Sequence, residues 1–319
     1  MSLLMSLPGY LRSYLGRAGL SALLVLAGAC SPDRAPGELF GSVETDVLVI
    51  DGQLIVGQPL PDVFLRRTAV PRQDYDAQAH GVRQAQISIS TGDLQINYQA
   101  DPDSTGRFLP TGSIPLVAPH TRYELIAVAG DEVLRAVTTT PGSIRVRQVV
   151  VLDEQNLAVI RQFRLFGQGT DVFEAEENQV VYLDGLLETR IDTSAGAAGY
   201  QLSLASLDLD SDFVVDADFL EEDDFEEFER AGASPVLDGA EGRVRLPWFA
   251  VAFAGRHIWR TYALDQNWYD FARTDPETGG GGFGQLAGDA FQRPSFAVEG
   301  GIGLFGSAAV DSVGFVVLP

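Results

Sequence analysis

The chain has 319 residues, and its 44 acidic side chains outnumber its 22 basic ones, which gives a formal net charge of −22. This excess of negative charge repels phosphate backbones and argues against nucleic acid as a partner. The basic residues are all arginines, and the absence of lysine excludes Schiff-base chemistry and a P-loop phosphate site. The hydrophobic content of 45% is ordinary for a folded protein.

The first 29 residues have the order that is typical of a secretory signal peptide. Arg12 and Arg17 provide a positive flank, residues 20–26 form an uncharged apolar run, and three small residues follow it. The run is shorter than the roughly 20 apolar residues of a transmembrane helix. No other stretch of the chain reaches that length, so no transmembrane helix is expected. We predict a signal peptide over residues 1–29.

The only cysteine of the chain, Cys30, comes directly after this segment in the sequence LAGAC. That pentapeptide resembles the lipobox of bacterial lipoproteins, in which the cysteine is lipidated and becomes the first residue of the mature protein. The alternative is an ordinary signal peptide that contains a cysteine. Ser31 stands where an inner-membrane retention signal often has aspartate, which favours the outer membrane. Residues 30–43 contain proline and glycine and are predicted to form the lipidated N-terminus and a tether.

Residues 44–142 have the pattern of short strands that are separated by turns. Residues 85–100 predict a hairpin with its turn at Gly92, and residues 122–142 predict a second hairpin with its turn at Gly130. Asp51 and Gly52 suggest a bulge or turn in the first strand segment. About seven strands in this stretch predict a β-sandwich of the immunoglobulin-like or transthyretin-like kind.

Residues 143–319 predict a second, mostly β domain with one or two short helices. Leu264, Trp268 and Phe271 are spaced at i, i+4 and i+7, which predicts one helix. Phe225 and Phe228 have the spacing of a second helical face within an acidic segment. The fold class predicted for the chain is therefore mainly β.

Two groups of residues are candidates for ligand binding. Asp208, Asp210 and Asp212 have the alternate spacing that wraps Ca²⁺ in some loops, although a solvated acidic loop is the favoured interpretation. No His-x-x-x-His pair is present, so the common zinc sites lack ligands. The aromatic candidates for a sugar or aromatic-ligand groove are Trp259, Trp268 and Tyr269, and the favoured alternative is that they form core.

Four segments resemble a family of uncharacterised bacterial lipoproteins, domain-of-unknown-function family 4249. These segments are VLVIDGQLIVGQPLPDVFLRRT, RYELIAVAGDEVLRAVTTTP, YALDQNWYDF and RPSFAVEGGIGLFGSAAVDSV. The resemblance implies an outer-membrane lipoprotein that lacks an established set of catalytic residues. It implies a non-enzymatic accessory of nutrient uptake, which binds a ligand or docks on a TonB-dependent receptor. The alternatives are a secreted hydrolase that acts through carboxylates and a structural or adhesion protein of the envelope.

Overall fold

The computed structural model of the protein describes residues 46–69, 75–181, 185–214, 230–237, 242–246, 251–274 and 295–319. The predicted signal peptide, Cys30 and the tether lie outside these ranges, and so do Phe225 and Phe228. No described helix has the length and apolarity that crossing a bilayer requires.

The described residues are mainly β, as predicted, and they include one short α-helix and one 3-10 turn. The helix α1 is Gln266–Thr274, and the 3-10 turn is Glu176–Asn178. The strands are β1 (Leu48–Ile55), β2 (Val63–Arg67), β3 (Gln86–Thr91), β4 (Leu94–Ala100), β5 (Arg107–Pro110), β6 (Arg122–Ala129), β7 (Glu132–Thr139), β8 (Arg145–Leu152), β9 (Val159–Gln162), β10 (Gln179–Val181), β11 (Leu186–Asp192), β12 (Gly199–Ser206), β13 (Ala231–Ala233), β14 (Arg243–Leu246), β15 (Gly255–Leu264), β16 (Val298–Glu299) and β17 (Ile302–Leu318).

The N-terminal strands form the predicted sandwich. The strand order β1-β2-β5-β4-β3-β6-β7-β16 runs through one continuous sheet. Its alternate side chains enclose one core, because period-two burial places every second residue on the inner face. Both predicted hairpins are confirmed, and Gly92 and Gly130 adopt positive φ at their turns. The expectation of a bulge or turn at Asp51 and Gly52 is wrong, since both lie inside β1, which pairs continuously with β17 there. The core residues include Leu48, Ile50, Leu65, Ile89, Phe108, Tyr123 and Leu125.

The C-terminal strands form a second two-layer arrangement with its own core. A four-stranded sheet of order β14-β11-β8-β9 supplies one layer, and β12, β15 and β17 of the large sheet supply the other. Apolar side chains from both layers belong to one buried cluster, as expected for two sheets packed face to face. This cluster includes Val149, Val151, Leu187, Val244, Tyr200, Leu202, Trp259, Val313 and Phe315.

The long strand β17 contributes to both cores. It pairs in parallel with β1 over Ile302–Ala308 and antiparallel with β15 over Ala308–Val317. Its odd-numbered side chains face inward, so Phe305 belongs to the first core and Ala309 belongs to the second. Residues 45–319 form one compact unit, and the predicted domain boundary at residues 142/143 stays a prediction.

Two glycines allow β17 to enter between β7 and β1. A side chain on Gly300 would lie 2.2 Å from the carbonyl oxygen of Val133, and one on Gly303 would lie 2.0 Å from that of Ile50. Both glycines also have positive φ, at 75° and 115°, a region that larger residues avoid. The glycine-rich sequence before and within β17 is therefore required by close backbone packing.

A buried carboxylate connects the two cores at the point where β17 passes from one to the other. Asp265 is 3% exposed and caps α1, because its Oδ1 accepts the backbone N–H of Trp268 at 2.9 Å. The same oxygen accepts the N–H of Ser307 at 3.0 Å. Its other oxygen accepts the hydroxyl of Thr138 on β7, and Thr138 also bonds the Ser307 hydroxyl at 2.8 Å. Burial raises the pKa of Asp265.

Replacing Asp265 with alanine should lower the free energy of unfolding by about 2–4 kcal/mol, because α1 loses its cap and buried donors lose their acceptor. The Asp265→Asn variant should lose about 1 kcal/mol or less, since its amide keeps one acceptor oxygen and can donate to Thr138. Urea unfolding of both variants and the wild type measures the difference. Equal losses in the two variants would contradict this role for the carboxylate.

Candidate functional site

The acidic loop that follows β12 is organised around an ion pair. Asp208 accepts the backbone N–H of Arg256 at 2.6 Å, and the Arg256 guanidinium donates to its other oxygen from Nη2 at 2.6 Å and from Nε at 3.0 Å. These hydrogen bonds lower the pKa of Asp208, the side-chain bond most. Gly255 allows this approach, because a side chain there would lie 2.6 Å from the Asp208 carboxylate. Asp208 is therefore committed to Arg256.

A second guanidinium enters the same loop. Arg230 donates from Nη1 to the carbonyl oxygen of Asp208 at 2.9 Å and from Nη2 to that of Ser211 at 3.0 Å. It also lies over the ring of Phe253, with its Cζ atom 4.0 Å from the ring centroid, a favourable cation–π geometry. Two arginines thus bind one carboxylate and two carbonyl oxygens of the loop. A bound cation would need these oxygens as its ligands.

The structure does not bring the three predicted aspartates together as metal ligands. No group of three histidine, cysteine or acidic side chains that would hold a metal ion occurs in the described part of the chain. A Ca²⁺ ion at Asp208, Asp210 and Asp212 would have to displace Arg256 and overcome the positive charge of Arg230. The loop borders a cavity of about 550 Å³ whose lining includes all three aspartates and the exposed Leu209.

The three predicted aromatic ligand residues do not share a surface. Trp259 is 1% exposed and belongs to the C-terminal core. Trp268 lies on α1 and contacts Tyr262, with their ring centroids 6.1 Å apart. The side chain of Tyr262 is on the face of β15 opposite to that of Trp259. Tyr269 packs its ring against Gly199. The core interpretation therefore fits Trp259, while Trp268 and Tyr269 fasten α1 to the large sheet.

Among the described residues, the carboxylates whose pKa is raised do not form a pair. Burial raises the pKa of Asp51 and of Asp265. Asp51 alternates with the inward-facing Ile50 and Gly52, so it lies on the outer face of β1. Asp265 instead bonds Thr138 and Ser307 on the inner side. Hydrolysis by two carboxylates requires both groups to flank one bond of the substrate, and this pair does not meet that requirement.

A surface that the sequence reasoning missed is the outer face of the four-stranded sheet. Five arginines from three neighbouring strands face outward there, together with two carboxylates, Glu188 and Asp192. The signal in the sequence is a repeated Arg-Val-Arg triplet, at residues 145–147 and 243–245. In a strand this alternation places both arginines on one face and valine in the core. We call this surface the arginine face: Arg145, Arg147, Arg190, Arg243 and Arg245.

Comparisons with known proteins leave the family open. No family model matches the chain, and no curated protein gives a significant match. One similar solved structure is the crystal structure of chicken CNTN1 FN1-FN3 domains, with 10% sequence identity over 87% of this chain and 70% of that chain. Its TM-score is 0.22, which says nothing about shared topology or function. The fold class therefore depends on the strands described above.

A buried histidine lies close to the acidic loop. His257 is 1% exposed, stacks on Phe315 with ring centroids 5.4 Å apart, and donates from Nδ1 to the carbonyl oxygen of Gly255 at 2.9 Å. Burial lowers its pKa below the ordinary value of 6.5. The folded state therefore disfavours the imidazolium. At a pH between the lowered pKa and 6.5, the unfolded state binds more protons than the folded state does.

This difference predicts how the stability of the protein responds to pH. The contribution of His257 is fully present above pH 6.5 and is lost as the pH falls through the lowered pKa. The His257→Phe variant keeps an aromatic ring against Phe315 and has no titratable group. Between pH 7.5 and pH 5.5 its urea midpoint should therefore fall less than that of the wild type. Parallel profiles for the two proteins would show that His257 does not titrate with folding.

Proposed function

We propose that the protein is an outer-membrane lipoprotein, anchored through Cys30, that assists nutrient uptake without catalysing a reaction. It would bind a nutrient or dock on a TonB-dependent receptor. The observation that carries the proposal is the position of the sole cysteine, directly after an apolar run and small residues in the order of a lipoprotein signal. The resemblance to domain-of-unknown-function family 4249 supports the same role.

The chemistry of the anchor fits a chain with one cysteine. A single thiol cannot form an internal disulfide in an oxidising compartment, whereas acylation gives that thiol a use. Each buried CH₂ group contributes about 0.8 kcal/mol to membrane binding, and stable attachment needs more than one acyl chain. Removal of residues 1–29 takes away Arg12 and Arg17, so the net charge would change from −22 to −24. Such a body would be held at the bilayer by its lipid.

The described carboxylates favour a binding role over hydrolysis. Several of them are engaged by arginines, as Asp208 is by Arg256 and Asp192 by Arg147. The two whose pKa is raised lie on opposite faces of the sheet and would not act on one substrate bond. A docking protein needs exposed surface of defined shape, and a two-layer β body supplies it through its outer sheet faces.

Lipidation of Cys30 is tested by metabolic labelling with radioactive palmitate. The wild type should incorporate the label and partition into the detergent phase, whereas Cys30→Ser should do neither, because serine offers no thiol for acylation. Ser31→Ala is the matched control and should be labelled like the wild type. Recovery of the unlabelled wild type in the culture fluid with an unmodified thiol would refute the anchor.

The docking role is tested by purifying the tagged full-length protein from bacterial membranes in mild detergent. A TonB-dependent receptor should co-purify, or calorimetry with candidate nutrients should give a saturable isotherm. Cys30→Ser serves as the control for association that arises only from shared detergent micelles. A positive hydrolase screen, combined with the absence of any receptor or bound nutrient, would overturn the role.

A further inference from the structure

The arginine face has a charge opposite to that of the chain as a whole. Its five arginines outnumber the described carboxylates of the same face, Glu188 and Asp192, by three, whereas the whole chain has a net charge of −22. The two strands β8 and β14 supply four of these arginines, and Arg190 on β11 lies between them. Such a local excess attracts an anionic partner even though the remainder of the protein repels it.

The carboxylates of this face orient the guanidinium groups. Glu188 is fully buried, and it accepts Nε of Arg190 at 2.7 Å with one oxygen and Nε of Arg245 at 2.8 Å with the other. Arg190 also donates from Nη1 to Gln148 at 2.8 Å. Because Glu188 accepts a hydrogen bond from Nε of Arg245, the two Nη groups of Arg245 can still donate to other acceptors. Asp192 holds Arg147 in the same way, with 2.7 Å between Nε and Oδ2.

One arginine of the face, Arg243 on β14, has no described carboxylate within ion-pair distance and is directly opposite Arg190 in the sheet register. Arg145 on β8 is instead directly opposite Asp192, whose pKa its charge helps to lower. Like charges on neighbouring strands repel each other. An anion that contacts Arg243 would offset this repulsion and would form charge-assisted hydrogen bonds with its guanidinium group.

The geometry of β14 suggests the form of the anion. β14 is the last strand of its sheet, so one of its backbone edges has no strand partner among the described residues. An extended peptide can add to such an edge. Its alternate side chains would then lie about 5 Å from Arg243 and Arg245, the distance between cross-strand neighbours. A strand repeats at about 3.3 Å per residue, so the spacing of alternate acidic residues matches that of the two arginines.

We propose that the arginine face binds an extended acidic segment of a partner protein, which adds to the edge of β14. The proposal deepens the docking role given above and depends on it for the location of the partner. A small anion fits less well, because small-molecule sites are concave and these arginines are spread over three strands of a sheet. An anionic membrane fits less well, because it offers no extended backbone that could pair with the edge of β14.

Fluorescence anisotropy tests the proposal with a labelled peptide of about ten residues in which glutamate and threonine alternate. The full-length protein in neutral detergent should bind this peptide and should not bind the same peptide with glutamine in place of glutamate. Binding should weaken as salt is added. The variant with both Arg243→Gln and Arg245→Gln should bind about tenfold more weakly, because the two arginines of β14 that neighbour the added strand are lost.

The matched control carries Arg83→Gln and Arg135→Gln, two exposed arginines of the N-terminal sandwich. It has the same net charge as the face variant and should bind like the wild type. Thermal unfolding of both variants establishes that they are folded. Equal weakening in both variants, or equal binding of the glutamine peptide, would overturn the proposal.

Vesicles that contain anionic phospholipid distinguish a membrane partner from a peptide. If these vesicles bind the wild type but not the face variant, and the peptide binds neither protein, the partner is a lipid surface and the proposal is wrong. Palmitate labelling of Cys30 is independent of these measurements. Failure of peptide binding in a labelled protein therefore refutes the arginine-face inference and leaves the anchor intact.

Discussion

The arrangement of the two cores depends on the buried carboxylate of Asp265. Its oxygens accept hydrogen bonds from the first turn of α1, from the backbone of β17 and from a hydroxyl on β7. These three elements belong to different parts of the fold, and Ser307 lies between the core residues Phe305 and Ala309. A polar group at this place accepts only specific donors, so it fixes the register of β17 more narrowly than apolar packing alone would. The direction of α1 follows from the same contacts, because Asp265 is its cap.

Local patterns predicted the local features of the fold. Both hairpins and the helix over residues 266–274 followed from spacing and turn residues, since these signals act within a few positions. Leu264, which was assigned to the helical stripe, is instead the last residue of β15. The parallel pairing of β1 with β17 was not predictable, because no local signal specifies a partner some 250 positions away. The bond between Thr138 and Asp265 likewise joins residues 127 positions apart.

The candidate sites show the same limit. The spacing of Asp208, Asp210 and Asp212 suggested a cation, but Arg256 pairs with the carboxylate of Asp208 and Arg230 bonds its carbonyl oxygen, and both arginines lie outside this loop. The two-residue period of a strand correctly places Trp259 and Tyr262 on opposite faces of β15. The sequence does not reveal which of the two faces α1 covers. The arginine face was readable in principle, because each Arg-Val-Arg triplet indicates a strand with a charged outer side. That the two triplets lie in one sheet is a tertiary fact.

The place of β17 in the strand order has a consequence for how the chain matures. It completes both hydrophobic clusters, and it is the last strand of the described chain. During synthesis, therefore, β1 can pair with β2 early, but its other edge stays unpaired until β17 has been made. High contact order slows folding, so the nascent polypeptide keeps part of its apolar surface uncovered until this late pairing forms. The late position of β17 in the chain thus postpones the completion of both clusters.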